Sequence, residues 1–371
     1  MILSSEVSLL VAQKRAHLHL AKKGLAPSVS YVGGEERNMP FIKLRKPSLF
    51  TAVMAAIGFI FLASAGAAPQ EKLNNVRVAI PAISFAQLPL YVGVQVGIFK
   101  AEGLDVNVEE IAPTAAIAGM ISGEIQCTSA GSSALRAAAS GAPITLLTGG
   151  SEKPAFYLVT QPEINTVTDL RDKIIAVTSL RSATDMITRD ILKQHGMDKD
   201  KDARTIALGN TAHILAGLTS KQVHAGLLSP PFDHKAKKLG LRVLLFAGDY
   251  VRILQGGFAF SNQQIAANPD LIRRFIRGYL RSIHFTQSQK EKTLPVIMKI
   301  FQLDEEAASQ TYDSVKGIWR ADGGVSKEVL EKEIEVWKES TKQTRDVSLD
   351  KLTNFSFLRQ VQQELNIKPL D

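Results

Sequence analysis

A single cysteine in 371 residues, Cys127, excludes an internal disulfide, a cysteine-built zinc cluster and a CxxC redox pair. Its setting, Glu124-Ile125-Gln126-Cys127-Thr128, reads as a strand in which the thiol is a small buried hydrophobe. Catalytic motifs are missing too. There is no GxSxG nucleophile elbow, no P-loop, no HExxH zinc helix, and no GxGxxG following a strand. The five histidines beyond residue 68 (His195, His213, His224, His234, His284) have no metal-ligand spacing, and no resident cofactor is expected. His234 beside Asp233 is a local pair of adjacent helix residues that point apart, and it takes no role. The chain also lacks a basic face. Its net charge is +8, but residues 1–68 hold eight Lys/Arg and three Glu, leaving 36 basic and 33 acidic residues beyond, a net of +3. With no long basic run and no RNA-binding aromatic motif, no nucleic-acid partner is expected.

What is present begins with an export signal. Lys43-Leu44-Arg45-Lys46 precedes an apolar run from Leu49 to Leu62 and a small-residue stretch with an Ala65-x-Ala67 cleavage pattern. Residues 39–68 are therefore expected to be a cleaved signal peptide and 1–38 an over-extended start or disordered extension, with translation from Met39. The other reading keeps a real N-terminal tail and an uncleaved membrane anchor at Leu49–Ala68. No cysteine at the cleavage region allows lipidation, so an exported soluble protein implies a periplasm.

The stretch Val76–Val108 sets the architecture. A β-branched run, a short polar loop at Ser84-Phe85-Ala86-Gln87, a helix and a second alternating strand at Leu104–Val108 form a βαβ unit. Such units place the loop at the carboxyl end of a parallel sheet, where open sheets bind ligands. A helix over Thr114–Ser122 ends at Gly123, and strands follow at Ile125–Thr128 and Ile144–Leu147, with a helix at Leu135–Ser140 between them. The rhythm then repeats. Strands are expected at Lys173–Val177, Arg204–Leu208, Ala225–Leu228 and Val243–Phe246, with helices between, and Gly256–Phe260 returns to the first lobe. The expected division is 74–160 plus 256–371 for lobe 1 and 161–255 for lobe 2. From Asn268, placed as a helix cap with Pro269 in the first turn, the remainder is helical. Arg273, Arg274, Arg277 and Arg281 are expected on a solvated helix face.

The candidate site is a set of strand-end loops rich in small polar residues. Ser84, Phe85, Gln87 and Leu88 follow the first strand, Ser129, Gly131 and Ser132 the third, and Gly150 and Ser151 the fourth. In the second lobe Arg181, Ser182 and Thr184 open a helix, and Asn210 and Ser229 end later strands. Helix N-termini offer unpaired N–H groups to an oxyanion, and Arg181 would add a fixed charge. The competing reading is that Ser182 only caps its helix and Arg181 is solvated.

Leu88-Pro89-Leu90-Tyr91-Val92 and Gly97-Ile98-Phe99-Lys100-Ala101-Glu102-Gly103-Leu104-Asp105-Val106 carry a resemblance that is strengthened by Asp169-Leu170 before Lys173–Val177 and by Ser229-Pro230-Pro231. Over about residues 74–290 the chain resembles periplasmic substrate-binding proteins of ABC importers in the nitrate/sulfonate/taurine group, related to thiamine-pyrimidine binding proteins. The resemblance implies a two-lobed α/β fold of the type II periplasmic-binding class, with parallel-rich sheets, a hinge of two crossing segments and a helical C-terminal part. It implies that the loops named above meet a small anionic or polar organic ligand, and that the partners are a membrane permease and its ATPase, with the protein a monomer. Where the family has Gly-Lys before the second-lobe strand, this chain has Asp172-Lys173, a change expected to affect a turn and not the site. Relatives that build a thiamine pyrimidine precursor carry a cysteine-rich iron motif, which one cysteine cannot supply, so that activity is not expected; with the catalytic motifs missing, the chain is not expected to be an enzyme. Two alternatives stand beside the transport reading: a membrane-anchored sensing module, and an enzyme on the same scaffold.

Overall fold

The computed structural model describes residues 73–180, 182–198 and 200–370. The expected signal peptide, the N-terminal extension and Arg181 lie outside the described residues.

The βαβ unit forms as its pattern requires. Strand β1 (Asn74–Ile80) pairs in parallel with β2 (Leu104–Glu110) along its whole length, from Asn74 opposite Leu104 to Ile80 opposite Glu110. Val76, Val78, Ala79 and Ile80 are all buried, because a parallel sheet is covered on both faces. The Ser84 loop tightens into a 3-10 turn at Phe85–Gln87 and runs into helix α1 (Leu88–Gln95), whose apolar residues are buried nearly all round. A short helix α2 (Ile98–Ala101) completes the crossover.

The first sheet has the order β2-β1-β3-β12-β4, with β3 at Cys127–Thr128, β4 at Ile144–Leu146 and β12 at Ala259–Ser261. Strand β3 is shorter than its apolar run suggests. The amide of Ile125 donates to Gly119 O (3.0 Å), closing the end of helix α3 (Pro113–Ser122), so the ladder engages only afterwards. Helix α4 (Gly131–Ala139) starts four residues earlier than the apolar pattern indicates. Cys127 is fully buried, and burial pushes its thiol well above the ordinary range, so it is an inert core residue.

The second sheet has the order β10-β6-β9-β7-β8: β6 Tyr157–Thr160, β7 Ile174–Val177, β8 Arg204–Ala207, β9 Ala225–Leu228 and β10 Arg242–Phe246. It repeats the first sheet. In each, one strand runs antiparallel to both neighbours, β12 in the first and β6 in the second, and each is the strand that enters from the other lobe. The expected lobe boundary at residue 160 falls at the end of β6, a strand of the second sheet. Helices α5 (Ala183–Gln194), α6 (Thr211–Thr219) and α7 (Phe232–Lys238) cover this sheet. Asp172, at the position the family gives to glycine, has φ +61°, so the turn is kept by a residue that tolerates the left-handed region.

Two short strands, β5 (Gly150–Ser151) and β11 (Gln255–Gly256), pair antiparallel between the lobes and form the hinge. Beyond the hinge, helix α8 (Asn262–Ala267) leads to the long α9 (Pro269–Ser288), then α10 (Lys290–Phe301), α11 (Glu305–Val315), α12 (Lys327–Thr341) and α13 (Ser356–Glu364). Asn268 does not cap α9, since its amide instead reaches Gln264 Oε1 at 3.4 Å. The arginines of α9 are not simply solvated. Arg277 and Arg281 both bind the buried carboxylate of Glu102, and Arg274 pairs with Asp270 and Asn74. Burying one carboxylate beneath two guanidiniums gives the charge the partners it needs inside the fold.

Candidate functional site

Between the lobes lies a cleft of ≈ 340 Å³. One wall comes from the first lobe, where Ile83, Ser84, Phe85 and Ala86 leave the end of β1. The facing wall comes from the second lobe, where Ser229, Pro230, Pro231 and Phe232 leave the end of β9. The hinge segments supply Ala155, Phe156 and Gln255, and α10 supplies Phe301. Both sheets thus present their carboxyl ends to the same space, the position at which open α/β sheets bind ligands.

The walls are mainly hydrocarbon. Phe85 and Phe301 stack face to face with ring centroids 4.0 Å apart and planes 20° apart, and Phe156, Pro230 and Phe232 line the same cleft. The polar side chains among the lining are Ser84, Ser229 and Gln255, and none of the described lining residues is charged. The Ala86 carbonyl beneath the first wall accepts from the indole of the buried Trp319 (3.2 Å), which fixes the lip against the C-terminal segment. Beneath the second wall Asp233 is buried, and burial pushes its carboxyl above the usual range against the opposing pull of His234.

Of the residues expected from sequence, Ser84, Phe85 and Ser229 line this cleft together. The other described candidates are not among its lining residues. Leu88 and Gln87 are buried behind the lip. Ser129 is fully buried and its hydroxyl has no hydrogen-bond partner. Gly131 lies against the hinge: a Cβ there would approach Gly256 O to 2.1 Å, so glycine is needed for close backbone approach. Ser132 is occupied by Leu254 O (2.8 Å) and Glu333 Oε1 (2.7 Å). Gly150 and Ser151 form hinge strand β5, and the Ser151 hydroxyl donates to Ile318 O and Lys153 O. In the second lobe the hydroxyls of Thr178, Ser182 and Thr184 bond to one another, and Ser182 also caps α5 by accepting from the Asp185 amide (3.4 Å). Asn210 caps α6 through the His213 amide (2.9 Å). Phe156, Pro230, Pro231, Phe232, Gln255 and Phe301 were not among the candidates. Phe232 stands next to Ser229-Pro230-Pro231, so extending that motif by one residue finds it, whereas Phe301 has only helical periodicity to mark it.

Twin α/β sheets, hinged by two short strands and opening onto a cleft at their carboxyl ends, give the chain the two-lobed periplasmic-binding fold. The chain belongs to the NMT1/THI5-like family, whose model matches residues 84–293. It is 28% identical over 265 residues, 68% of this chain and 74% of the relative, to the riboflavin-binding protein RibY of Chloroflexus aurantiacus. Its fold resembles the putative periplasmic sulfonate-binding protein SsuA of Methylobacillus flagellatus, with TM-score 0.64 and 18% identity over 80% of this chain and 96% of that one. The periplasmic nitrate-binding protein NrtA of Synechocystis is also similar, with TM-score 0.57 and 16% identity over 80% of this chain and 90% of that one.

Proposed function

We propose that the protein captures a small molecule with a flat ring between its two lobes in the periplasm and delivers it to a membrane permease powered by an ATPase. The observation that carries this reading is the aromatic cleft. Phe85, Phe301, Phe156 and Phe232 line it from both lobes and the hinge, and among the described lining residues the polar side chains are Ser84, Ser229 and Gln255. Apolar surface removed from water contributes about 25 cal/mol per Å², so a ring gains on both faces while nitrate or taurine gains little. A bare inorganic anion entering this cleft would surrender hydration to walls whose described lining holds no charge. The likeness to a riboflavin-binding protein supports a ring ligand, and the lobe-and-hinge plan supports capture by closure, since only a closed state touches the ligand from both lobes. The polar groups suit the edge of a heteroaromatic ring, whose nitrogens and oxygens need partners when buried.

A thermal-shift comparison of riboflavin, a single-ring pyrimidine, taurine and nitrate tests this. At a hundredfold excess over its dissociation constant a ligand adds about 2.7 kcal/mol to stability, a shift of several degrees. Riboflavin or the pyrimidine is expected to give that shift. Stabilisation by taurine or nitrate alone would refute the ring reading.

A further inference from the structure

We propose that Phe301, eight residues beyond the matched family segment, sets the size of ring that the cleft accepts; this rests on the ring-ligand reading above. The family match ends at residue 293, within the first turn of α10, yet one wall of the cleft is completed by Phe301 at the end of that helix. Phe301 is the last residue of that helix, and Gln302 turns the chain into the left-handed region (φ +52°) immediately after it. The ring is thus held at a helix end against Phe85 and is not part of a mobile loop.

The stacking distance decides what Phe301 does. At 4.0 Å between centroids and 20° between planes, Phe85 and Phe301 are already in van der Waals contact, with no room for a third ring between them. A ligand ring therefore meets the stacked pair as a unit, in a cleft that Phe232 also lines. Phe301 occupies the face of Phe85 on which a wider ring system would otherwise lie, and Phe85 is only 8% exposed as a consequence of its packing. Removing the Phe301 ring frees that face and widens the slot by the volume of a phenyl group. The expected result is a change of selectivity and not a uniform loss of binding.

The experiment measures dissociation constants of riboflavin and of a single-ring pyrimidine by calorimetry for the wild type, Phe301→Ala and Phe301→Leu. The two-variant design covers the possibility of a poorly folded alanine variant, because leucine retains apolar bulk at the helix end; melting curves verify folding. The ratio of the pyrimidine constant to the riboflavin constant is expected to rise at least about tenfold in Phe301→Ala and less in Phe301→Leu, in favour of the wider ring. A ratio unchanged within about threefold in both folded variants overturns the role of Phe301 and leaves the ring reading intact. Failure of the wild type to bind either ring compound refutes the ring reading and this inference with it.

Discussion

Ser129 is where a single residue separates a structural role from a functional one. Its hydroxyl is fully buried without a partner, which costs about 1–3 kcal/mol in a protein that gains nothing from it. Ser129→Ala is therefore expected to leave the melting temperature unchanged or raise it. Because Ser129 is fully buried and does not line the cleft, the variant's affinity for the ring compound is expected to stay within about twofold of the wild type, and calorimetry beside a melting curve reads both quantities. A loss of about tenfold in affinity would mean that the buried hydroxyl acts on the site. Thr178, Ser182 and Thr184 make the contrasting case, with hydroxyls that already satisfy one another. Residue type made Ser129 and Ser182 equal candidates in the sequence; hydrogen-bond accounting separates them, and that accounting needs coordinates.

At the scale of elements, the hinge depends on glycine more than on any side chain. Gly131 opens α4 directly against Gly256 of β11, and a methyl group there would meet a backbone oxygen at 2.1 Å. Backbone cannot swing aside as a flexible side chain can, so Gly131→Ala is expected to cost about 1–3 kcal/mol of stability and to distort the hinge. Chemical denaturation should show a lower midpoint with the slope unchanged, while an unaltered midpoint would mean that the hinge yields freely. The same comparison explains what could be read in advance. Strands β1, β2, β7 and β9 and helix α9 carry long apolar patterns, and these announced the twin sheets and the helical C-terminal part. Strands β5 and β11 are two residues each, too short for any period, so Gly150 and Ser151 looked like a polar binding loop when they are the hinge. The cleft wall was legible where it followed a strand end, at Ser84, Phe85 and Ser229. It was opaque at Phe156 and Phe301, because nothing local to a sequence says which distant aromatic residues converge.

For the whole molecule, the closing of the lobes is tied to the C-terminal helices on both flanks. On one side Tyr157 and His234 reach Ser314 of α11 at 3.2 and 2.9 Å, and Lys238 of α7 pairs with Glu306. On the other, Lys332 of α12 pairs with Asp190 of α5. These two ion pairs join lobe 2 to helices packed on lobe 1, so they exist only when the lobes are together. Each is partly exposed and individually weak, but an equilibrium between open and closed forms responds to small biases. A ligand that needs the closed form loses apparent affinity in proportion to the closed fraction that is lost. The double variant Lys238→Ala/Lys332→Ala is expected to bind its ring ligand about two- to tenfold more weakly, mainly through faster dissociation. Salt supplies the check, since raising ionic strength screens exposed pairs while leaving stacked rings untouched. Affinity of the wild type should fall between low and high salt, and that of the double variant should hardly change. Equal salt responses in the two proteins would mean that the flanking ion pairs do not govern closure and that the hinge and the cleft walls alone set it.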